Sequence, residues 1–372
     1  MSESINTREN GAGFHRQLLT TVSAIALLAS ICGSGEAQAE NADTDRPILW
    51  IELGAQFEGE RNPQETYLPP FMNPAPSFVT ISPSAVQSPQ PYSFGGEGKI
   101  EFQPQDSDWV FSAAVRYGRS NGDKHQHQQT SVRLKSPFHP SQYISVPYSK
   151  FADAAAHEDA SHTILDFGAG KDVGLGMFGQ DSRSMLSAGI RYAQFTNKSR
   201  ASVAAVPTLF GYVYNTRLHV SLPFQSMHNF QATEQSERNF RGIGPSLSWD
   251  SSADIVRSGQ AQFTFDWGAN AAVLFGRQKV RVHERTVEYI DHPSHATAYN
   301  NALPDRIRSK TVTVPNIGGF AGVSLKFPNA KFSIGYRGDF FFGAMDGGLD
   351  QRETENVSFY GPFASISVGI GG

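Results

Sequence analysis

Cysteine is nearly absent: the 372-residue chain has one, Cys32. That excludes a disulfide framework, so stability must come from packing and backbone pairing. Long apolar runs are equally scarce. After residue 31 no stretch approaches 18 consecutive apolar residues, which excludes a protein that crosses a bilayer with helices. An excess of one charge is missing too. The formal net charge is −4, with the basic residues scattered, and such a chain carries no nucleic-acid footprint. Neither a His-Glu-x-x-His helix nor a phosphate-binding glycine loop occurs, so the sequence predicts no enzyme and implies no cofactor.

What is present begins with a secretory signature. A polar leader carrying Arg8, His15 and Arg16 precedes the apolar run 18–31 and the small-x-small site Ala37-Gln38-Ala39. The run is short of the roughly 20 residues a transmembrane helix needs. Residues 1–39 are therefore predicted to be a cleaved signal peptide, removing Cys32, and residues 40–372 to be one exported domain.

Barrel strands carry apolar residues only at every second position, which hides them from hydropathy averages. Near the C-terminus Phe332, Ile334, Tyr336, Phe340 and Phe342 fall on one face, and Ser333, Gly335, Arg337 and Asp339 on the other. The preceding segment sets Ile317, Ala321, Val323 and Leu325 against Asn316, Gly318, Gly322, Ser324 and Lys326, and Pro328-Asn329 joins the two as a hairpin. Upstream, Phe263, Phe265, Trp267, Ala269, Ala271, Val273 and Phe275 alternate with Thr264, Asp266, Gly268, Asn270 and Ala272. A run that long can cross a membrane when tilted. Similar patterns centre on Leu49, Ile51, Leu53 and Phe57, on Ile100 and Phe102, and on Trp109, Phe111, Val115 and Tyr117, with weaker ones at 163–170, 186–193 and 242–249, and the last strand runs over 359–370. The count is ten.

The connections alternate in length. Short links are predicted at 104–108, 173–182, 250–259 and 328–329, and long polar loops at 58–93, 120–161, 196–241, 278–315 and 343–357. The plan is all-β: an antiparallel up-and-down transmembrane β-barrel of about ten strands, with long extracellular loops and both termini on the periplasmic side. The first loop holds eight prolines between Pro63 and Pro91, which favours an extended, non-sheet course. Pro245 and Pro362 fall inside predicted strands, where a missing donor calls for a bulge or a strand end.

Three stretches carry a family resemblance. Phe240-Arg241-Gly242-Ile243-Gly244-Pro245 with Ser248-Trp249-Asp250, then 268–278, and Ser358-Phe359-Tyr360-Gly361-Pro362-Phe363 resemble the Legionella-type major outer membrane protein family. The resemblance implies a pore-forming outer-membrane barrel and supplies no catalytic residues. The chain departs from outer-membrane barrels that finish on an aromatic residue, since it closes Ile370-Gly371-Gly372.

If the apolar face meets lipid, the opposite face lines the lumen. It gathers Glu52, Glu97, Lys99, Glu101, Arg116, Asp166, Arg191, Asp266, Lys326, Arg337 and Asp339. Near-balance of charge makes these either a selectivity lining or a network of ion pairs that partly plugs the barrel. Arg337, Asp339 and Lys326 are expected to form one buried cluster. The expected function is a small, weakly selective passive pore; a non-conducting structural or adhesive barrel, binding partners through its loops, is the alternative. His125 and His127, with His292 and His295 in another polar stretch, could hold zinc only with further ligands from elsewhere, and no metal site is predicted. A rim catalytic site would need groups such as Asp153, His157, His283 and Glu284 to converge. Expected partners are outer-membrane lipid, lipopolysaccharide and the barrel-assembly machinery, in the bacterial outer membrane.

Overall fold

Period-2 alternation needs a partner strand on each side, and closure supplies one for all ten predicted strands. The computed structural model describes residues 48–61, 66–67, 86–87, 92–105, 107–135, 143–173, 183–206, 209–292, 295–302, 304–347 and 354–371, within one unit spanning Pro47–Gly371. The predicted signal peptide, and most of the proline-rich stretch, lie outside these residues.

In chain order the strands are β1 (Leu49–Arg61), β2 (Thr66–Tyr67), β3 (Val86–Gln87), β4 (Tyr92–Phe102), β5 (Trp109–Lys135), β6 (Tyr143–Asp172), β7 (Arg183–Val206), β8 (Leu209–Asn215), β9 (Val220–Ser258), β10 (Ala261–His292), β11 (His295–Ala302), β12 (Arg306–Lys326), β13 (Ala330–Asp346) and β14 (Thr354–Ile370). The described residues contain no helix. Ten strands run β10-β12-β13-β14-β1-β4-β5-β6-β7-β9, and β9 pairs back with β10 to close an antiparallel barrel. First and last strands are neighbours, with Leu49 opposite Ile370. The strands β8 and β11 extend the sheet beside β9 and β10, and β2 pairs with β3 apart from the barrel.

The outer face carries the apolar residues. Phe265, Phe275, Ile317, Ile334, Tyr336, Phe111, Tyr117 and Ile190 are all exposed, whereas Thr264, Asp266, Ala272 and Ser324 between them are buried. On β10 this outward belt runs from Phe263 to Phe275, roughly 25–30 Å for a tilted strand, which matches a bilayer's apolar thickness.

The predicted long loops are corrected by the structure. The polar stretches 120–161, 196–241 and 278–315 are largely strand: β5 has 27 residues, β6 30, β9 39 and β10 32. Above the belt the alternation inverts. On β10 Val280 and Val282 point inward and are buried while Lys279, Arg281 and Arg285 are exposed, and on β6 Ala154, Ala156 and Ala160 are buried inside. A sheet with water outside and a packed interior needs small or apolar residues within, so it reads as polar wherever the outward set is charged. The predicted link 250–259 likewise shortens to a turn at Gly259 and Gln260, because β9 continues to Ser258. Gly259 takes a φ of 58°, a left-handed conformation that only glycine enters freely.

The two prolines expected inside strands, Pro245 and Pro362, are accommodated. The β9–β10 ladder skips from Ala272↔Ser246 to Phe275↔Ile243 beside Pro245, and the β1–β14 ladder skips from Gln56↔Phe363 to Gly59↔Tyr360 beside Pro362. The missing donors therefore coincide with local gaps of pairing.

Placing Arg on the outward face at the middle of the belt, as in Ala321→Arg, is expected to cost about 2–4 kcal/mol, and Thr313→Arg beyond Pro315 about 0–1 kcal/mol. Denaturant unfolding in lipid vesicles measures both; equal costs would refute the position of the belt.

Candidate functional site

The lumen is built in three levels. At the short-turn rim a cavity of about 270 Å³ is bordered by Trp50, Glu52, Lys99, Glu101, Asp250 and Lys331, among others. Lys99 pairs with Glu101 at 2.7 Å, and Lys331 with Asp266 at 2.7 Å. Asp266 also accepts from Ser252 Oγ at 2.6 Å and from Ser324.

The second level spans the barrel. Arg116 on β5 bonds Asp339 on β13, and Arg337 on β13 bonds Glu97 on β4. Along the sheet β5 and β13 are four strand spacings apart, about 19 Å, so the first pair crosses the lumen instead of following the wall. Arg191 on β7 donates Nε to Asp166 Oδ1 at 2.6 Å and Nη2 to Asp166 Oδ2 at 3.1 Å, while Nη1 reaches Asn270 Oδ1 at 2.7 Å and Asn316. The Arg337 guanidinium lies 4.9 Å from the Phe363 ring centre and 5.8 Å from that of Phe320. Asp339 is 1% exposed and Arg191 4%, so each charge depends on its partners.

The third level is apolar. Phe195 from β7, Phe240 from β9, Phe341 from β13 and Phe359 from β14 meet in the lumen: Phe195 is 4.7 Å from Phe341 edge-on, 5.6 Å from Phe240 and 5.5 Å from Phe359, between ring centres. Ile164, Leu274, Val314, Ala344, Met345 and Val357 complete this buried cluster. A bulge helps to build it. The β13–β14 register shifts between Phe341 and Met345, where Gly343 has a φ of 65°, and Phe341, Ala344 and Met345 are all buried. His162 stacks 3.9 Å from Phe359 and lies 3.5 Å from Glu58, which also accepts from Ser93 Oγ at 3.3 Å. Glycines make room for both groups: a Cβ on Gly118 would stand 2.3 Å from His162, and one on Gly95 2.5 Å from Glu58.

The predicted lumen residues all lie on inward faces. Glu52, Lys99 and Glu101 line the rim cavity, Asp266 its wall, and Glu97, Arg116, Asp166, Arg191, Arg337 and Asp339 the crossing level. One expectation is corrected. Lys326 does not join Arg337 and Asp339: its ladder partner is Lys331, whereas Arg337 stands opposite Phe320 and Asp339 opposite Gly318. The two charges of β13 therefore pair across the barrel, and the basic group that anchors Asp266 is Lys331. Sequence reasoning also missed Glu58 and His162. Both continue the inward parity of their strands, but both fall in or beside the predicted loops 58–93 and 120–161.

On the outer face above the belt, His157 Nδ1 bonds Asp123 at 2.6 Å and its Nε2 faces Asp159 at 3.3 Å. His283 Nδ1 bonds Asp305 at 2.9 Å; Glu284 pairs with Arg306, and Asp153 with His125. His157 on β6 and His283 on β10 are three strand spacings apart, roughly 14 Å, each with its own carboxylate, so the groups a rim catalyst would need do not converge. The sequence is expected to hold no Gly-x-Ser-x-Gly elbow; the pattern does occur once, as Gly-Arg-Ser-Asn-Gly at Gly118–Gly122, but it lies inside β5 with Ser120 buried in the lumen, whereas a nucleophile elbow needs a strand-to-helix turn. Among the described residues no three His, Cys, Asp or Glu side chains converge as a metal site. The side chains of His127, His292 and His295 lie outside the described residues.

No family model and no curated protein matches the chain. Among solved structures it is similar to the outer membrane protease OmpT from Escherichia coli, at 11% identity and a TM-score of 0.38, covering 91% of this chain and 100% of that one. The CymD monoaromatic hydrocarbon channel matches at 9% identity and a TM-score of 0.23, covering 88% and 90%. The transport unit of the autotransporter AIDA-I from Escherichia coli matches at 9% and 0.18, covering 90% and 93%. These likenesses concern the barrel fold.

Two outcomes test the site. Asp339→Asn strips the charge that Arg116 and Arg191 face, and is expected to destabilise the barrel by about 3–5 kcal/mol in denaturant unfolding, with Arg116→Met in the same chain restoring part of the loss. Outside the membrane belt, the hydrogen bond that the His157 ring donates to the Asp123 carboxylate raises the imidazole above its ordinary 6.5, with Asp159 adding to it. The folded state thus favours protonated His157: its contribution to stability is complete below the unfolded value and is lost as pH rises through the raised one. NMR titration should place this ring above 6.5, and Asp123→Asn should lower it.

Proposed function

We propose that this protein is an exported outer-membrane barrel whose lumen is sealed, and that it acts through the tall sheet it raises above the membrane, as a structural or adhesive element and not as a catalyst. The observation that carries the reading is the aromatic level, in which Phe195, Phe240, Phe341 and Phe359 from four strands meet inside the barrel. Ten strands leave a lumen only slightly wider than the eight-strand size that side chains fill. Four phenyl rings and the aliphatic groups around them suffice to close it. The outward apolar belt supports the membrane location, and the secretory signature at 1–39 supports export. Working contacts then belong to β5, β6, β7, β9 and β10 where they rise above the belt.

The weakly selective pore, which the resemblance to the Legionella-type family favours, differs in one measurable respect: it needs the aromatic level to open. Planar-bilayer recording of purified protein separates the two. The sealed reading expects no steady conductance in the parent and open channels once Phe195→Ala, Phe341→Ala and Phe359→Ala are combined. Ohmic conductance in the parent would establish the pore in its place.

A further inference from the structure

Charges on the outer face above the belt are mostly matched. Arg119 lies 3.5 Å from Asp159, and Arg281 and His283 share Asp305 at 2.6 and 2.9 Å. One place differs. Arg241 on β9 stands directly opposite Arg277 on β10, and Lys279 is the next outward residue on β10. All three are exposed. Arg277 Nε donates to the Ser309 hydroxyl at 2.7 Å, and neither Arg241 nor Lys279 has an ion-pair partner among the described residues. Their outward ladder neighbours are uncharged: Gln194 beside Arg241, Thr311 beside Arg277, and Asn239 and Ser309 beside Lys279.

Like charges directly opposite on one sheet face repel and weaken the pairing. Here three such charges adjoin the lipid boundary, since Ile243 and Phe275, both exposed, are the next outward residues toward the membrane. The patch lies at the rim away from the short turns and the termini, which in an outer-membrane barrel is the extracellular leaflet. Anionic headgroups there would turn the repulsion into attraction, and guanidinium groups bind phosphate through paired hydrogen bonds.

We infer that Arg241, Arg277 and Lys279 form a binding site for a phosphate group on the saccharide headgroup of lipopolysaccharide, with the hydroxyls of Ser309 and Thr311 beside it and the acyl chains lying along Phe275 and Ile243. The inference rests on the outer-membrane reading, and it names the lipid and the residues that hold it.

The test titrates detergent-solubilised protein with lipid A carrying both phosphates, and with the same lipid after dephosphorylation. Arg241→Gln combined with Arg277→Gln is expected to weaken binding of the phosphorylated lipid by at least about tenfold, given the strength of hydrogen bonds between charged groups. Binding of the dephosphorylated lipid should be unchanged. Arg257→Gln, at the opposite rim and paired with Asp254, should leave both affinities as they are, and Arg277→Lys should retain part of the parent's. Retained heat-modifiable gel mobility shows that each variant is folded. Equal affinity of parent and double variant for the phosphorylated lipid overturns the site, as does displacement of the lipid by millimolar inorganic phosphate, which would make this a site for free phosphate. Fractionation of the parent away from the outer membrane would sink the location by itself, and the titration would still read the site.

Discussion

Everything in this barrel depends on a two-residue period that is kept while its chemistry reverses. A strand cannot exchange its faces without a bulge. Between bulges each strand therefore keeps one set of side chains inside, whatever solvent surrounds it. Along β10 the inward set begins with Thr264 and Asp266, changes at Ala272 and Leu274, and continues with Gln278, Val280 and Val282, all buried. The outward set changes from Phe275 to Arg277, Lys279 and Arg281. Lipid asks for apolar groups outside and tolerates polar ones within; water reverses the demand.

That reversal explains where the apolar cluster of the lumen sits. At the crossover both faces are apolar, because the outward residues still meet lipid while the inward ones already form a core. Phe195, Phe240, Phe341 and Phe359 sit at this height. Below them Arg116, Asp166, Arg191 and Asp339 pair with one another in a space that the aromatic cluster shields on its upper side. Buried ion pairs add little to stability over apolar packing of similar volume. What this network supplies is position: pairs that reach from β5 to β13 and from β4 to β13 fix opposite walls at one separation.

How far the sequence discloses this structure follows from the same period. Membrane-spanning parts were legible because Phe, Ile and Val at alternate positions contrast sharply with Ser, Gly and Asp between them, and the inward charges followed directly from parity. The upper strands resemble loops in the sequence because their contrast is weaker: on β6 the inward set is Ala154, Ala156, Glu158 and Ala160, against outward Ala155, His157, Asp159 and Ser161. Their alternation is present, and Lys279-Val280-Arg281-Val282-His283 shows it plainly once the inverted phase is allowed. Cross-lumen partners are another matter. Parity places Asp339 inside, but whether it meets Lys326 two positions from its own hairpin or Arg116 on the far wall depends on shear and diameter, which no local pattern encodes.

The aromatic level also bears on how the barrel closes during folding. The β1–β14 seam joins residues at opposite ends of the chain, with Leu49 opposite Ile370, and its loop-closure cost is among the largest in the molecule. Phe359 of β14 packs against His162 of β6 and Phe195 of β7, and Glu58 of β1 faces the same histidine. Both seam strands are thus tied to the middle of the chain through the lumen as well as to each other along the wall. The apolar cluster in the lumen thus draws the two seam strands together, so the packing of the interior and the closure of the barrel rest on the same contacts.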